Sequence, residues 1–345
     1  MGAPISTRGS TPHPTPGSRP DCRLALFADP GIGFAPPLVA AAVAAAPAAG
    51  VTVAAIVDTA PVPRGAPRAL ARRAAGIALG SLFGDPPPGR PRPRFGAPLD
   101  LARVARRHAI PLVVPPARDL SHPRLGERLF DDLGVTAALS LGCLQRFRRP
   151  LLDRLATAVN FHDGLLPDYR GLAATSWSVY RGEAASGFTF HHVSERLDGG
   201  DVLLQEALPV GPDTSVHALL VAKTGRAAAR LGEVLAAIAE GRPGRRQEDG
   251  GSYFGSRERE AIVRVGDPGT LDWADLGRRL HAFDRVFLDL AGRTWEVTAV
   301  RRVEGRGGPL AFTSRDGVRG EPVRFLHLPR PLYRLVRPAF AVPAR

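Results

Sequence analysis

Lysine and cysteine are nearly missing from this chain, and with them several kinds of protein drop out. The 345 residues carry 46 Lys and Arg side chains together, yet Lys223 is the only lysine, and there are two cysteines and one methionine. Cys22 and Cys143 form neither a metal-ligand spacing nor a disulfide framework, so a reducing compartment, the cytoplasm, is expected. Long apolar runs are also lacking. The alanine-rich stretch from Leu38 is cut by Pro47 and Gly50, short of the roughly 20 apolar residues that a membrane span needs. Residues 1–22 lack the apolar centre of a signal peptide and, rich in Ser, Thr, Pro and Gly, read as a disordered tail.

Positive charge is present in excess, with a formal net of +13. It is spread rather than banded, since the pairs Arg72-Arg73, Arg106-Arg107, Arg148-Arg149, Arg245-Arg246, Arg278-Arg279 and Arg301-Arg302 fall in separate elements. This pattern suits a solvated surface better than a stripe that follows a phosphate backbone.

Hydrophobic residues make up 44% of the chain, ample for a core, and the length favours two domains. Apolar runs at 24–28, 51–57, 110–114, 135–141 and 156–161 alternate with segments of helical character. That alternation predicts an α/β fold, a doubly wound and mostly parallel Rossmann-type sheet with helices on both faces. The stretch Gly84 to Pro98 reads as a flexible surface insertion. Asp213 to Ser215 can cap a long helix that ends near Gly241. The expected organisation is a catalytic domain over 23–241, a linker over 242–265 and a small β-rich α+β domain over 266–345. In the last of these, an amphipathic helix is predicted at 271–283, with strands at 286–290, 294–300 and 323–328.

The most informative residues follow the apolar run that ends at Val159. If 157–162 is a strand, Asn160 and His162 share a face and Phe161 points to the other. Gly164, Pro167 and Gly171 then break the chain into a loop beyond the strand's carboxyl end, where open α/β sheets bind ligands. Transfer of an acyl group to an amine passes through a tetrahedral oxyanion, which needs donors aimed at the developing charge and a group that removes a proton. Asn160 and His162 are such donors. The segments 187–193 and 198–205 read as two strands joined by a bend at 196–200, from which Asp198 would face the same crevice. Beside His162 its carboxylate would hold the ring protonated or relay a proton through water. His191 is either a hydrogen-bonding partner of this group or an ordinary half-buried residue. No metal is proposed, because the adjacent His191 and His192 point to opposite faces of a strand.

In order and spacing, Asn160, His162, Leu165 to Pro167, Arg170, Gly171, Trp177, Gly187, Thr189, His191, Asp198 and Gly200 resemble the folate-dependent formyltransferases, the family of methionyl-tRNA, glycinamide ribonucleotide and amino-sugar formyltransferases. The resemblance implies that Asn160 and His162 polarise the formyl group of 10-formyltetrahydrofolate while Asp198 orients His162 and manages protons. It also implies that Leu144 and Phe147, with Leu197 and Gly200 opposite, wall the donor's pterin. Gly164, Leu166, Pro167, Arg170, Gly171 and His191 would form the supporting loop and shell. Gly164 stands where the family has Ser, which removes a hydroxyl and is expected to loosen the loop.

The expected activity is N-formyl transfer to a primary amine, with a small molecule such as an amino sugar or an amino-acid-derived metabolite preferred to a tRNA. The basic signature of a tRNA-reading member is poorly matched around Arg257 to Arg264. Three alternatives stand beside it. A formyltetrahydrofolate hydrolase would use water as acceptor, but relatives of that kind carry an added N-terminal domain for which the stretch before Arg23 is too short. A dinucleotide-dependent oxidoreductase would use Gly31-Ile32-Gly33 and Asp58, but Ala35 and Pro36 stand near the place of the third glycine, so a structural turn is expected instead. A basic nucleic-acid-binding module would use the arginines alone.

Overall fold

The protein is described here from a computed structural model that covers residues 21–60 and 100–326. The expected insertion at Gly84 to Pro98 and nearly all of the 1–22 tail lie outside the described residues.

The first sheet contains β1 (Cys22–Ala28), β2 (Val51–Asp58), β3 (Leu112–Val113), β4 (Ala137–Ser140) and β5 (Thr157–His162). A two-residue strand β6 (Arg170–Gly171) stands apart from it, and β7 (Ala185–His192) and β8 (Val202–Pro209) complete it. The seven strands run in the order β3-β2-β1-β4-β5-β7-β8. From β3 to β5 the neighbours are parallel, whereas β7 is antiparallel to both β5 and β8. This is the mostly parallel sheet that the alternation predicts.

Period-2 alternation sends successive side chains of β1 into two cores. Leu24 and Leu26 join Ile56, Leu139, Val159, Phe188 and Phe190 on one face. That face is covered by α1 (Ala35–Ala45), α2 (Leu101–Arg107) and, beyond the short α3 (Ala174–Arg181), the long α4 (Val216–Ala239). Ala25 and Phe27 join Val57 and Ala138 on the other face, against Leu120, Leu125, Leu129 and Leu151 from short helical turns. Each fully buried Leu, Ile or Phe contributes about 2 kcal/mol, so both faces are firmly covered. Ser215 caps α4, its hydroxyl accepting from the Ala218 N–H at 3.1 Å.

Beyond α4 the chain does not simply cross to a second domain. Arg245 bridges back to Val202, and β9 (Tyr253–Phe254) pairs with β6 in a separate two-stranded sheet. Then come α5 (Ser256–Val263), β10 (Arg264–Gly266) and α6 (Trp273–Phe283). The predicted helix at 271–283 starts two residues late, behind a helical turn at Pro268–Thr270. The Asp272 carboxylate does not cap it, being paired with Arg315. The second sheet is β-rich as expected: β10, β11 (Val286–Leu290), β12 (Arg293–Arg302), β13 (Phe312–Thr313) and β14 (Arg319–Leu326), in the order β10-β11-β12-β14-β13.

Trp177 of α3 joins the two halves. Its indole stacks on Phe254 with centroids 4.3 Å apart and meets Phe283 edge-on at 5.1 Å.

Gly171 lies where β6 and β9 meet, with φ +96°, and a Cβ there would fall 2.3 Å from the Phe254 carbonyl oxygen. Both the conformation and the contact exclude a side chain. Gly171→Ala should therefore cost about 2 kcal/mol or more, read as a lower urea midpoint; an unchanged midpoint would contradict the β6–β9 pairing.

Candidate active site

The carboxyl end of β5 places the site. Phe161 turns into the core, its ring 5.3 Å from Phe34 and 5.3 Å from Phe190. Asn160 and His162 therefore share the opposite side, as the strand pattern predicts. Antiparallel pairing sets Asn160 directly across from His191 and His162 across from Thr189. Asn160 Nδ2 lies 3.1 Å from His191 Nε2, and His191 Nδ1 lies 2.8 Å from the His192 carbonyl oxygen. A carbonyl only accepts, so Nδ1 carries a proton, and Nε2 is the nitrogen that meets the Asn160 amide. His191 thus belongs to the cluster.

His162 is buried, and its Nε2 lies 2.8 Å from the Tyr169 carbonyl oxygen. By the same reasoning Nε2 donates there, which leaves Nδ1 to face Asp198 Oδ2 at 3.8 Å. Asp198 Oδ1 lies 3.6 Å from His191 Nε2, and Oδ2 accepts from the Gly171 N–H at 2.8 Å. The carboxylate therefore stands between two imidazoles with only 10% of its side chain exposed. Burial pushes its pKa up, but the His162 ring, the His191 ring and the Gly171 N–H outweigh this and hold it at about 2. It remains an anion at neutral pH.

Asp198 and Tyr169 both take left-handed backbone conformations, with φ +50° and +57°. Such geometry costs a non-glycine residue about 1–2 kcal/mol and persists only where neighbours enforce it. It also explains why β8 begins at Val202 rather than at Asp198: the chain is still turning through Gly199 and Gly200.

The loop after His162 is held rather than loose. The Thr189 hydroxyl donates to the Gly164 carbonyl at 2.7 Å and accepts from the Leu166 N–H at 3.2 Å, and Gln205 Nε2 donates to the Leu166 carbonyl at 2.8 Å. Arg170, buried beneath, donates from Nε to the Pro167 carbonyl at 3.0 Å. A Cβ at Gly164 would come within 2.8 Å of the Ala174 Cβ and 2.9 Å of His162 Nε2. The glycine that was expected to add freedom fills a crowded position instead.

Among the residues expected to touch the donor, Leu144 and Leu197 are 45% and 36% exposed. Phe147 packs on the Phe27 ring at 4.7 Å. Gly200 passes so close to the His192 carbonyl that a Cβ would meet its oxygen at 1.9 Å. Two surface hollows, of about 600 Å³ beside Arg301, Arg302 and Arg319 and about 230 Å³ beside Leu155 and His192, do not include Asn160, His162 or Asp198. Among the described residues, no group of three or more His, Cys, Asp or Glu side chains is arranged to hold a metal ion.

One supporting residue escaped the sequence reading although its signal was visible. Lys223, alone among arginines, is 1% exposed, and its Nζ donates at 2.8 Å to each of three oxygens: the Asp163 carbonyl, Thr175 Oγ1 and Ser186 Oγ. A compact ammonium suits three convergent acceptors better than a planar guanidinium fork does. Burial pushes its pKa down to about 8 against the opposing charge of Asp163. Its partner carbonyl belongs to the residue directly after His162, so this lysine anchors the start of the loop.

These features define a doubly wound α/β protein whose chemistry sits at the carboxyl ends of central strands, around an anion flanked by imidazoles. Residues 109–229, which include Asn160, His162 and Asp198, match the family model described as formyl transferase. The chain is 37% identical over 97 residues to GDP-perosamine N-formyltransferase of Brucella melitensis, covering 28% of this chain and 38% of that one. It is 30% identical over 222 residues to methionyl-tRNA formyltransferase of Geobacillus thermodenitrificans, covering 62% of this chain and 63% of that one. The chain thus matches less than two thirds of the length of these relatives. Among solved structures, a 4-N formyltransferase from Francisella tularensis superposes with a TM-score of 0.54 at 13% identity, covering 80% of this chain and 97% of that one. A sugar N-formyltransferase from Shewanella does so with a TM-score of 0.51 at 15% identity, covering 89% and 99%. At such identities the likeness is one of fold.

Two pH effects follow. The depressed carboxyl of Asp198 stabilises the folded state above its unfolded pKa near 3.8, by about 2 kcal/mol, and this is lost as pH falls toward 2. The stability gap between wild type and Asp198→Asn should accordingly narrow from pH 4 downward in urea titrations. For Lys223 the folded pKa is again the lower one, so stability again rises with pH, here because burial disfavours the ammonium. Relative to Lys223→Met, the wild type should gain about 3 kcal/mol between pH 8 and 10.5, and parallel pH profiles would contradict a buried ammonium.

Proposed function

We propose that the protein transfers a formyl group from 10-formyltetrahydrofolate to a primary amine. What supports this reading is the cluster in which Asp198, from a distant bend, lies 3.8 Å from His162 and 3.6 Å from His191, whose Nε2 is 3.1 Å from Asn160. With one amide N–H turned to His191, the second N–H of the half-buried Asn160 is left to meet a formyl oxygen. His162, fixed through Nε2, keeps Nδ1 as its exchangeable position. The Asp198 carboxylate faces that nitrogen at 3.8 Å, a separation that suits passage of the amine's proton by way of a water. The exposed apolar side chains of Leu144 and Leu197 suit the flat ring of a folate donor. No helix among the described residues is long and apolar enough to cross a membrane, which agrees with a cytoplasmic reading.

The acceptor we favour is a small amine, such as an amino sugar or an amino-acid-derived metabolite. The likeness to an enzyme named for GDP-perosamine supports it. Methionyl-tRNA is the second reading, supported by relatives named for that substrate.

The test is incubation with 10-formyltetrahydrofolate and a panel comprising amino sugars, amino-acid-derived amines and charged initiator tRNA, following tetrahydrofolate release and the gain of one formyl group in mass. Formate without a formylated amine would replace the proposal with a hydrolase. His162→Ala or Asp198→Ala should lower turnover by about 100-fold or more with the far-ultraviolet circular dichroism unchanged. Near-normal turnover in either variant would refute the assigned roles.

A further inference from the structure

The stretch after α4, read from sequence as a linker, runs across both loops that carry the site. Arg245 exchanges two backbone hydrogen bonds of 2.7 Å with Val202, at the start of β8. Gly250 accepts from the Arg170 guanidinium, and the Ser252 N–H donates to Asp168 Oδ1 at 3.0 Å. The Ser252 hydroxyl and carbonyl both accept at 2.9 Å, from the N–H groups of Tyr169 and Arg170. In the middle of this lacing is Gln247. Its Nε2 donates to the Asp198 carbonyl at 2.8 Å and to the Gly200 carbonyl at 2.7 Å.

Two carbonyl oxygens facing one point repel each other unless a donor stands between them. A primary amide supplies two N–H groups on one nitrogen, enough for both. This matters at Asp198 because its left-handed backbone is unfavourable for a residue with a Cβ. If the bend relaxed, the carboxylate would leave its place 3.8 Å from His162 and 3.6 Å from His191. Glycine at 200 allows the close pass against β7 but cannot fix a conformation. The fixing group comes from Gln247, outside residues 109–229 that match the family model.

We infer that Gln247 is a positioning residue for the reaction: by bridging the carbonyls of Asp198 and Gly200 it holds the Asp198 carboxylate between His162 and His191. This rests on the proposed formyl transfer only for its kinetic consequence. The geometric claim stands by itself.

The experiment compares wild type with Gln247→Glu, which keeps the shape but sets a carboxylate against two carbonyls, and with Gln247→Ala. At a fixed neutral pH, the side-chain NMR resonances of His162 and His191 should move in both variants in the same direction as in Asp198→Asn. Those of His108, His122 and His281 should stay in place. In the formyl-transfer assay, kcat should fall about tenfold or more with KM for donor and amine within about twofold, the mark of a group that acts on the reacting centre rather than on binding. If Gln247→Glu does not fold, Gln247→Ala carries both measurements. Unmoved His162 and His191 resonances overturn the inference even in an active enzyme. Moved resonances in a wild type that formylates no amine leave Gln247 in its role and overturn the proposed function instead.

Discussion

Everything at this site depends on one buried anion. The Asp198 carboxylate is removed from water at a cost, and three neighbours offset that cost: the rings of His162 and His191 and the N–H of Gly171. A buried carboxylate without such partners would protonate and lose its use at neutral pH. Each partner comes from a different part of the chain, so the strand end of β5, its neighbour β7 and the small strand β6 must all be in place before the anion is tolerated.

The same demand reaches outward through the loops. Thr189, Gln205 and Lys223 hold the turn that follows His162, while Arg170 fastens it from beneath. The backbone at Tyr169 and Asp198 is left-handed, which a flexible loop would abandon. Segment 245–254 then ties these turns to each other. Although it follows the last helix of the first sheet, it belongs physically with the loops that carry Arg170 and Asp198. Trp177, stacked on Phe254 and against Phe283, extends the connection into the second sheet. Support for the site is thus distributed over both halves of the molecule.

The likeness to formyltransferases rests on more than shape, because the family match spans Asn160, His162 and Asp198. The relatives named for a sugar amine and for methionyl-tRNA differ in what they act on, which agrees with a shared catalytic centre and variable surroundings.

Local chemistry was plainly legible in the residues themselves. Alternating apolar runs determined the doubly wound sheet, because the period of hydrophobicity selects the element that can bury it. The Asn-x-His spacing determined that Asn160 and His162 share a face, since a strand repeats every two residues. Ser215 announced the long helix by its capping hydroxyl. The tertiary structure alone decided which nitrogen of each histidine is engaged, that Gly164 is crowded rather than loose, and that Phe147 leans on the core. It also decided that a glutamine in an apparent linker reaches the carbonyls of Asp198 and Gly200. These are contacts between segments distant along the chain, as with Arg170 and Gly250, 80 residues apart. Short-range periodicity carries no record of them; they exist only once packing has brought the segments together.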